Sequence, residues 1–256
     1  MKRLVLATLF AAMLGLGLSV GSDTAASAAE KISGQGSLRF RVLYTSSILP
    51  AKAQEVLEKA HGGFAVDRRP GKGETYFALP GAGILRIGAD LKTVDLLDTD
   101  PAMRDTNMHN ATLWFDGGAG YLVFPGNSAN KVFTTTMDGK LVHTLEPPPA
   151  SAELGAPTAN MYFREGGPFI PTDVEYLDGL YYIATGYSKL DYVLTAKVGT
   201  KPIAAAWNKL AFGGKGEGAG QFGTGHGITV PPGKKRIDVA DRPNAEIDRF
   251  TPKGKY

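Results

Sequence analysis

One cycle recurs along most of this chain, and it limits the folds open to it. Tyr121–Asn127, Lys131-Val132-Phe133 and Asp138-Gly139-Lys140 run as strand, polar turn, strand and tight turn. Arg236–Arg242, Glu246–Phe250 and Lys253-Gly254-Lys255 repeat that order. Tyr181–Tyr187 with Asp191–Leu194 is a third copy, and Thr75–Leu79 with Ile84–Ile87 a weaker fourth. A further short strand precedes each copy: Phe64–Val66, Ala111–Trp114, Val174–Tyr176 and Ile228–Val230. The cycles begin near His61, His109, Thr172 and His226, at spacings of 48, 63 and 54 residues. A period of roughly 40–50 residues with three or four strands each predicts the blades of a β-propeller. The first strand of each blade then lines a central channel, so residues far apart in sequence meet on one axis.

Upstream of the repeat the pattern is mixed. Leu38–Tyr44 alternates apolar and polar residues and predicts a strand. Pro50–Ala60 predicts a short helix with proline at its start. Before that, Lys2 and Arg3 precede an apolar run, Leu4–Val20, and the small residues Ala25–Ala29 follow. This is the order of a secretory signal peptide, cleaved after Ala28 or Ala29. The expected organisation is a signal peptide over 1–29, a strand and short helix over 30–60, and a propeller over 61–256. The mature protein is expected to be secreted or periplasmic, with no later segment apolar enough to span a bilayer. The absence of cysteine excludes disulfides, thiolate zinc sites and a cysteine nucleophile. Net charge is only +3, and the Lys234-Lys235-Arg236 cluster beside Pro231-Pro232-Gly233 reads as a solvated turn, so no nucleic-acid partner is expected.

There are four histidines. His109 and His226 open inner strands, and apolar residues follow two and four places later (Ala111 and Leu113; Ile228 and Val230), on the same strand face. Thr172 holds the equivalent place before Val174 and Tyr176. His61 is one residue out of phase: Phe64 and Val66 make Gly62 the equivalent position, so His61 needs a bulge to join the ring. Two or three neutral imidazoles on one axis can hold zinc; alternatively each caps a strand end against a loop carbonyl. His143 is expected at the surface of an outer strand.

The stretch Phe212–Phe222, with its glycines and terminal Gln221-Phe222, followed by His226-Gly227-Ile228 and Val239–Arg242, resembles an NHL repeat. Residues 108–256 further resemble the catalytic propeller of the peptidyl-α-hydroxyglycine α-amidating lyases. Met108–Ala111, Pro171–Val174, Gly186-Tyr187, His226 and Arg242 carry that likeness, in blade order. The resemblance implies a six-bladed NHL propeller with zinc and calcium in its channel. It implies cleavage of a hydroxyglycine-extended peptide to a peptide amide and glyoxylate. It also implies zinc ligands at His109 and His226 and catalytic roles for Tyr187 and Arg242; His61 is a further candidate ligand from its place ahead of the first inner strand, not from the resemblance. Two features depart from the pattern. The family's third zinc histidine lies in a later blade than this chain has, and no arginine is found near Ala78-Leu79-Pro80, where the family has one. The expected fold is therefore an all-β, NHL-type propeller of about four to five blades, incomplete relative to a six-bladed ring. Either it is shortened, or Leu38–Tyr44 supplies a closing strand to a smaller ring.

Other readings stand beside the lyase. One is a non-catalytic propeller that binds a peptide, protein or small molecule at the channel mouth. Another is a calcium-dependent lactone hydrolase, for which Asp173 is the in-phase acidic residue. Tyr187 serves equally as an aromatic cover of its blade turn, and Arg242 as a tie between blades. Asp173 and Asp241 read as hydrogen-bond acceptors between blades, and Trp114 and Trp207 as packing between blades.

Overall fold

The computed structural model describes residues 31–42 and 45–256. They fall into two units divided after Val42. The described part of the first is a hairpin of β1 (Ile32–Gln35) and β2 (Leu38–Arg41). The strand expected over Leu38–Tyr44 is thus present as far as Arg41, whereas Leu43 and Tyr44 lie outside the described residues. Its partner is β1, in a two-stranded sheet of its own, and it supplies no blade strand. The segment read as a signal peptide also lies outside the described residues.

The second unit opens on α1 (Ala51–Glu55), followed by a 3-10 turn at Leu57–Lys59. The expected helix over 50–60 is therefore broken at Val56. Leu49, Ala53 and Val56 pack on Leu79, Ala82 and Leu85, so tertiary contact sets where the helix ends. Four sheets follow, arranged in a ring as a four-bladed propeller. Blade one is β3 (Ala65–Val66), β4 (Thr75–Leu79), β5 (Gly83–Ile87) and β6 (Val94–Leu96). After α2 (Pro101–Arg104), blade two is β7 (Thr112–Asp116), β8 (Ala119–Gly126), β9 (Lys131–Thr136) and β10 (Leu141–Leu145). After α3 (Pro157–Glu165), blade three is β11 (Asp173–Leu177), β12 (Leu180–Ala184), β13 (Tyr192–Thr200) and β14 (Ile203–Gly213). Blade four has three strands: β15 (Gly225–Thr229), β16 (Ile237–Asp241) and β17 (Glu246–Phe250). Among the described residues the strands of each blade pair antiparallel, as meandering neighbours joined by short turns require. The Asp178-Gly179 turn joining β11 to β12 has both residues at positive φ, the two-residue geometry that suits a right-twisted hairpin.

Period-two side-chain alternation explains how blades pack. On β12, Tyr181 and Ile183 face blade two, and Tyr182 and Ala184 face blade four, all four being buried. On β8, Leu122 and Phe124 turn to blade one while Val123 turns to blade three. Such strands read as continuous apolar runs because both faces are covered. Trp114 lies between blades as expected, stacked on Tyr176 with ring centres 4.3 Å apart. Trp207 packs on Phe163 and Phe169 and donates from Nε1 to the Glu146 carbonyl. His143 departs from the surface position expected of it. It is half-buried, and its Nε2 accepts from Ala205 N at 2.9 Å, tying β10 to β14 across two blades. No helix among the described residues is long and apolar enough to cross a membrane.

Candidate metal centre

The inner ends of blades one, two and four bring three histidines together. Ligand nitrogens of His61, His109 and His226 all lie within 4.8 Å of one another. His61 Nε2 is 2.8 Å from His109 Nε2. The ring centres of His109 and His226 are 4.7 Å apart, although 117 residues separate them in sequence.

Local backbone explains each placement. His109 follows Met108, which bridges to Gly126, and its own N–H donates to the Pro125 carbonyl, so it is held at the mouth of blade two. His226 is the extra residue of a β-bulge: Gly225 pairs with Asp241 and Gly227 with Ala240, leaving His226 without a partner of its own. A bulge of this kind re-aims one side chain without breaking the ladder. His61 was expected to need a bulge, but the bulge is at His226 instead. The inner strand of blade one is only two residues long, so His61 lies ahead of any strand and strand phase does not bind it. Gly62 makes the approach feasible, since a Cβ there would come within 2.6 Å of the His109 carbonyl oxygen.

The chemistry of the three rings differs with burial. His109 is 4% exposed, and its Nδ1–H donates to the Thr172 carbonyl at 2.7 Å. That bond fixes the tautomer with the Nε2 lone pair directed at the other rings, as a carbonyl behind a metal-binding histidine does. Burial pushes the His109 pKa down to about 4, with the charges of His226, His61 and Arg242 adding and the Thr172 bond opposing. His226 is lowered by burial first, then by Arg242 and His61. His61 is exposed at the rim.

Tyr187 and Arg242 stand on the rim. The Tyr187 hydroxyl is hydrogen-bonded to His226 Nε2 at 2.8 Å, and its ring lies edge-on to His109. The residue before it is Gly186, where a Cβ would collide with the Gly225 carbonyl, so glycine lets the Tyr187 loop close onto β15. Arg242 is exposed, with its guanidinium carbon 5.8 Å from the centre of the Tyr187 ring. The five residues singled out from the sequence are therefore in one neighbourhood. The donor set suits zinc, which takes imidazole nitrogens at roughly 2.0–2.1 Å in a tetrahedral shell. Neutral rings, a fixed tautomer and carbonyl support are what such a shell requires.

Below the histidines the channel continues as a cavity of about 500 Å³ with Asn110, Asp173, Glu175 and Arg68 among its lining. Asp173 ties blade three to blade four: its carboxylate accepts from Ile228 N and from Val174 N, each at 2.8 Å. Glu175 does the same one step further along, accepting from Val230 N and Tyr176 N. Burial pushes Asp173 up to about 8 despite those bonds, and also raises Glu175. Asp241, expected to bridge blades, instead accepts from Gly223 N and Thr224 N in the loop that leads into its own blade.

No family model matches this chain, and no curated protein matches it. Solved structures do. A Bacteroides thetaiotaomicron protein of unknown function is 13% identical, with TM-score 0.48, over 83% of this chain and 50% of its own. A catalytically inactive virginiamycin B lyase from Staphylococcus aureus, with quinupristin, is 16% identical, with TM-score 0.46, over 77% and 54%. A putative 6-phosphogluconolactonase from Bacteroides uniformis is 14% identical, with TM-score 0.48, over 75% and 50%. This chain spans about half the length of these three. The assignment of the fold rests on the strand order and pairing given above, not on these likenesses.

Proposed function

We propose that this protein is a zinc-dependent carbon–nitrogen lyase of the amidating type, acting on a peptide that ends in α-hydroxyglycine. The observation that carries the proposal is the convergence of His61, His109 and His226, with the Tyr187 hydroxyl on the third ring. Zinc held by these nitrogens would supply Lewis-acid polarisation of a substrate oxygen. The protein's own groups account for the rest. The Thr172 carbonyl keeps the His109 ring in the ligating tautomer. The Tyr187 O–H, bonded to His226, is positioned to give up or take a proton beside the developing charge. Arg242, exposed beside Tyr187, offers a planar guanidinium that holds a terminal carboxylate in bidentate fashion. The products are then a peptide amide and glyoxylate, the carboxylate remaining on the glyoxylate fragment.

Calcium, the second ion of the resembling family, is not assigned to Asp173. That carboxyl is buried, already accepts two backbone N–H bonds, and is held by burial well above the usual carboxylate range. Export, with cleavage after residue 28 or 29, is part of the same proposal and is tested by N-terminal sequencing of the mature chain. The enzymatic proposal is tested by metal analysis together with glyoxylate release from an α-hydroxyglycine-extended peptide. One zinc per chain with glyoxylate release is expected. A chain that retains no zinc and releases none contradicts it.

A further inference from the structure

Blade four carries a second cluster, on its middle and last strands and built from oxygen rather than nitrogen. Carboxylate oxygens of Asp241, Glu246 and Asp248 lie within 4.8 Å of one another. The register explains this: Asp241 pairs with Glu246 across β16 and β17, and Asp248 follows Glu246 by two residues on the same face. Asp248 is the unusual member. It is 1% exposed, and neither of its oxygens has a hydrogen-bond partner. A buried carboxylate without partners is costly and calls for a counter-charge. Among the described residues no lysine or arginine pairs with any of the three. Burial, with the nearby Glu246 and Asp241, pushes Asp248 up to about 6.

Asp241 forms a fixed corner. Its Oδ2 accepts from Gly223 N and Asn244 Nδ2, and its Oδ1 from Thr224 N alone. With about four acceptor positions on a carboxylate, Oδ1 keeps one open. Glu246 is exposed, with its carboxylate already within 4.8 Å of the other two. We propose that Asp241, Glu246 and Asp248 form a calcium site on the last two strands of blade four, separate from the channel histidines. All-oxygen donors favour a hard cation over zinc. Two oxygens in one calcium shell, each at roughly 2.3–2.6 Å from the ion, lie at most about 5 Å apart, which this group satisfies. Magnesium demands near-ideal octahedral geometry, which three carboxylates fixed on two neighbouring strands do not offer. The ion would neutralise Asp248 and clamp β17 to β16 at the edge of a three-stranded blade.

The test is calorimetric titration of Ca²⁺ alone into the chelator-treated full chain, with a parallel thermal melt. One Ca²⁺ per chain is expected, with a dissociation constant on the order of 10⁻⁴ M, as in modestly charged sites. Asp248→Asn should weaken binding at least about 10-fold, and Glu246→Gln about 3-fold or more. Both should leave zinc content unchanged, which separates failure of this site from failure of the channel site. Glu246 is exposed, so its variant remains informative if Asp248→Asn does not fold. Absence of Ca²⁺ binding at millimolar concentration, or binding that neither variant weakens, overturns the proposal.

Discussion

His109 and Asp173 sit at successive levels of one channel, and the same force acts on both with opposite results. Burial disfavours charge, so it drives the imidazole down to about 4 and the carboxyl up to about 8. Both shifts favour the neutral form, but the consequences differ. A neutral imidazole with its Nδ1–H on the Thr172 carbonyl presents a lone pair, and is ready to ligate. A carboxyl whose oxygens already accept from Val174 N and Ile228 N is a strut between blades. Desolvation alone therefore does not mark a functional group. What distinguishes the two is whether the neutral form leaves an unused lone pair facing its neighbours.

The strongest way to break this contrast is at the histidines. His226→Ala should remove zinc and lower glyoxylate release by about 10³-fold or more, because it deletes a ligand and the partner of Tyr187. Zinc analysis and kinetics on the same sample check this; full zinc retention would detach His226 from the site. At the lower level the contrast is one of pH. The folded-state pKa of Asp173 lies above its ordinary value of 3.8, so its contribution to stability is fully present below about pH 4 and lost as pH rises towards 8. The loss between pH 5 and pH 8 is on the order of 3 kcal/mol, read by urea unfolding, and Asp173→Asn should abolish that slope. His109 works in the other direction in the metal-free protein, its stability contribution falling as pH drops from 6.5 towards 4.

Smaller effects sharpen the picture. Tyr187→Phe should keep zinc and lower kcat by about 10²-fold, the size of a lost proton-transfer group. An unchanged kcat would reduce Tyr187 to a cover over the blade turn. His143→Ala removes one acceptor for Ala205 N and should cost about 1 kcal/mol in thermal or urea unfolding, with no change in zinc.

The blades were legible because each inner strand restarts the same cycle, and the strand ends expected for Thr75–Leu79 and Glu246–Phe250 match the observed β4 and β17. His109 and His226 were legible as members of that cycle. His61 was read one residue out of phase, because phase carries no information ahead of a two-residue strand. The bulge at His226 leaves no trace in the alternation around it. His143 looked like a surface residue because its partner, Ala205 N, belongs to a long strand 62 positions away in the next blade. Asp248 was passed over for a similar reason. Its burial depends on how blade four packs, and one aspartate among exposed neighbours on β17 carries no local mark of it. Leu38–Arg41 did form a strand, but alternation cannot say which strand it pairs with, and it pairs with β1.

X-ray absorption at the zinc edge of the zinc-loaded, full-length protein addresses the channel site most directly. Three imidazole nitrogens at roughly 2.0–2.1 Å are predicted, falling to two in His109→Ala or to no bound zinc at all. A shell of oxygen donors only, or a spectrum that His109→Ala leaves unchanged, would contradict it.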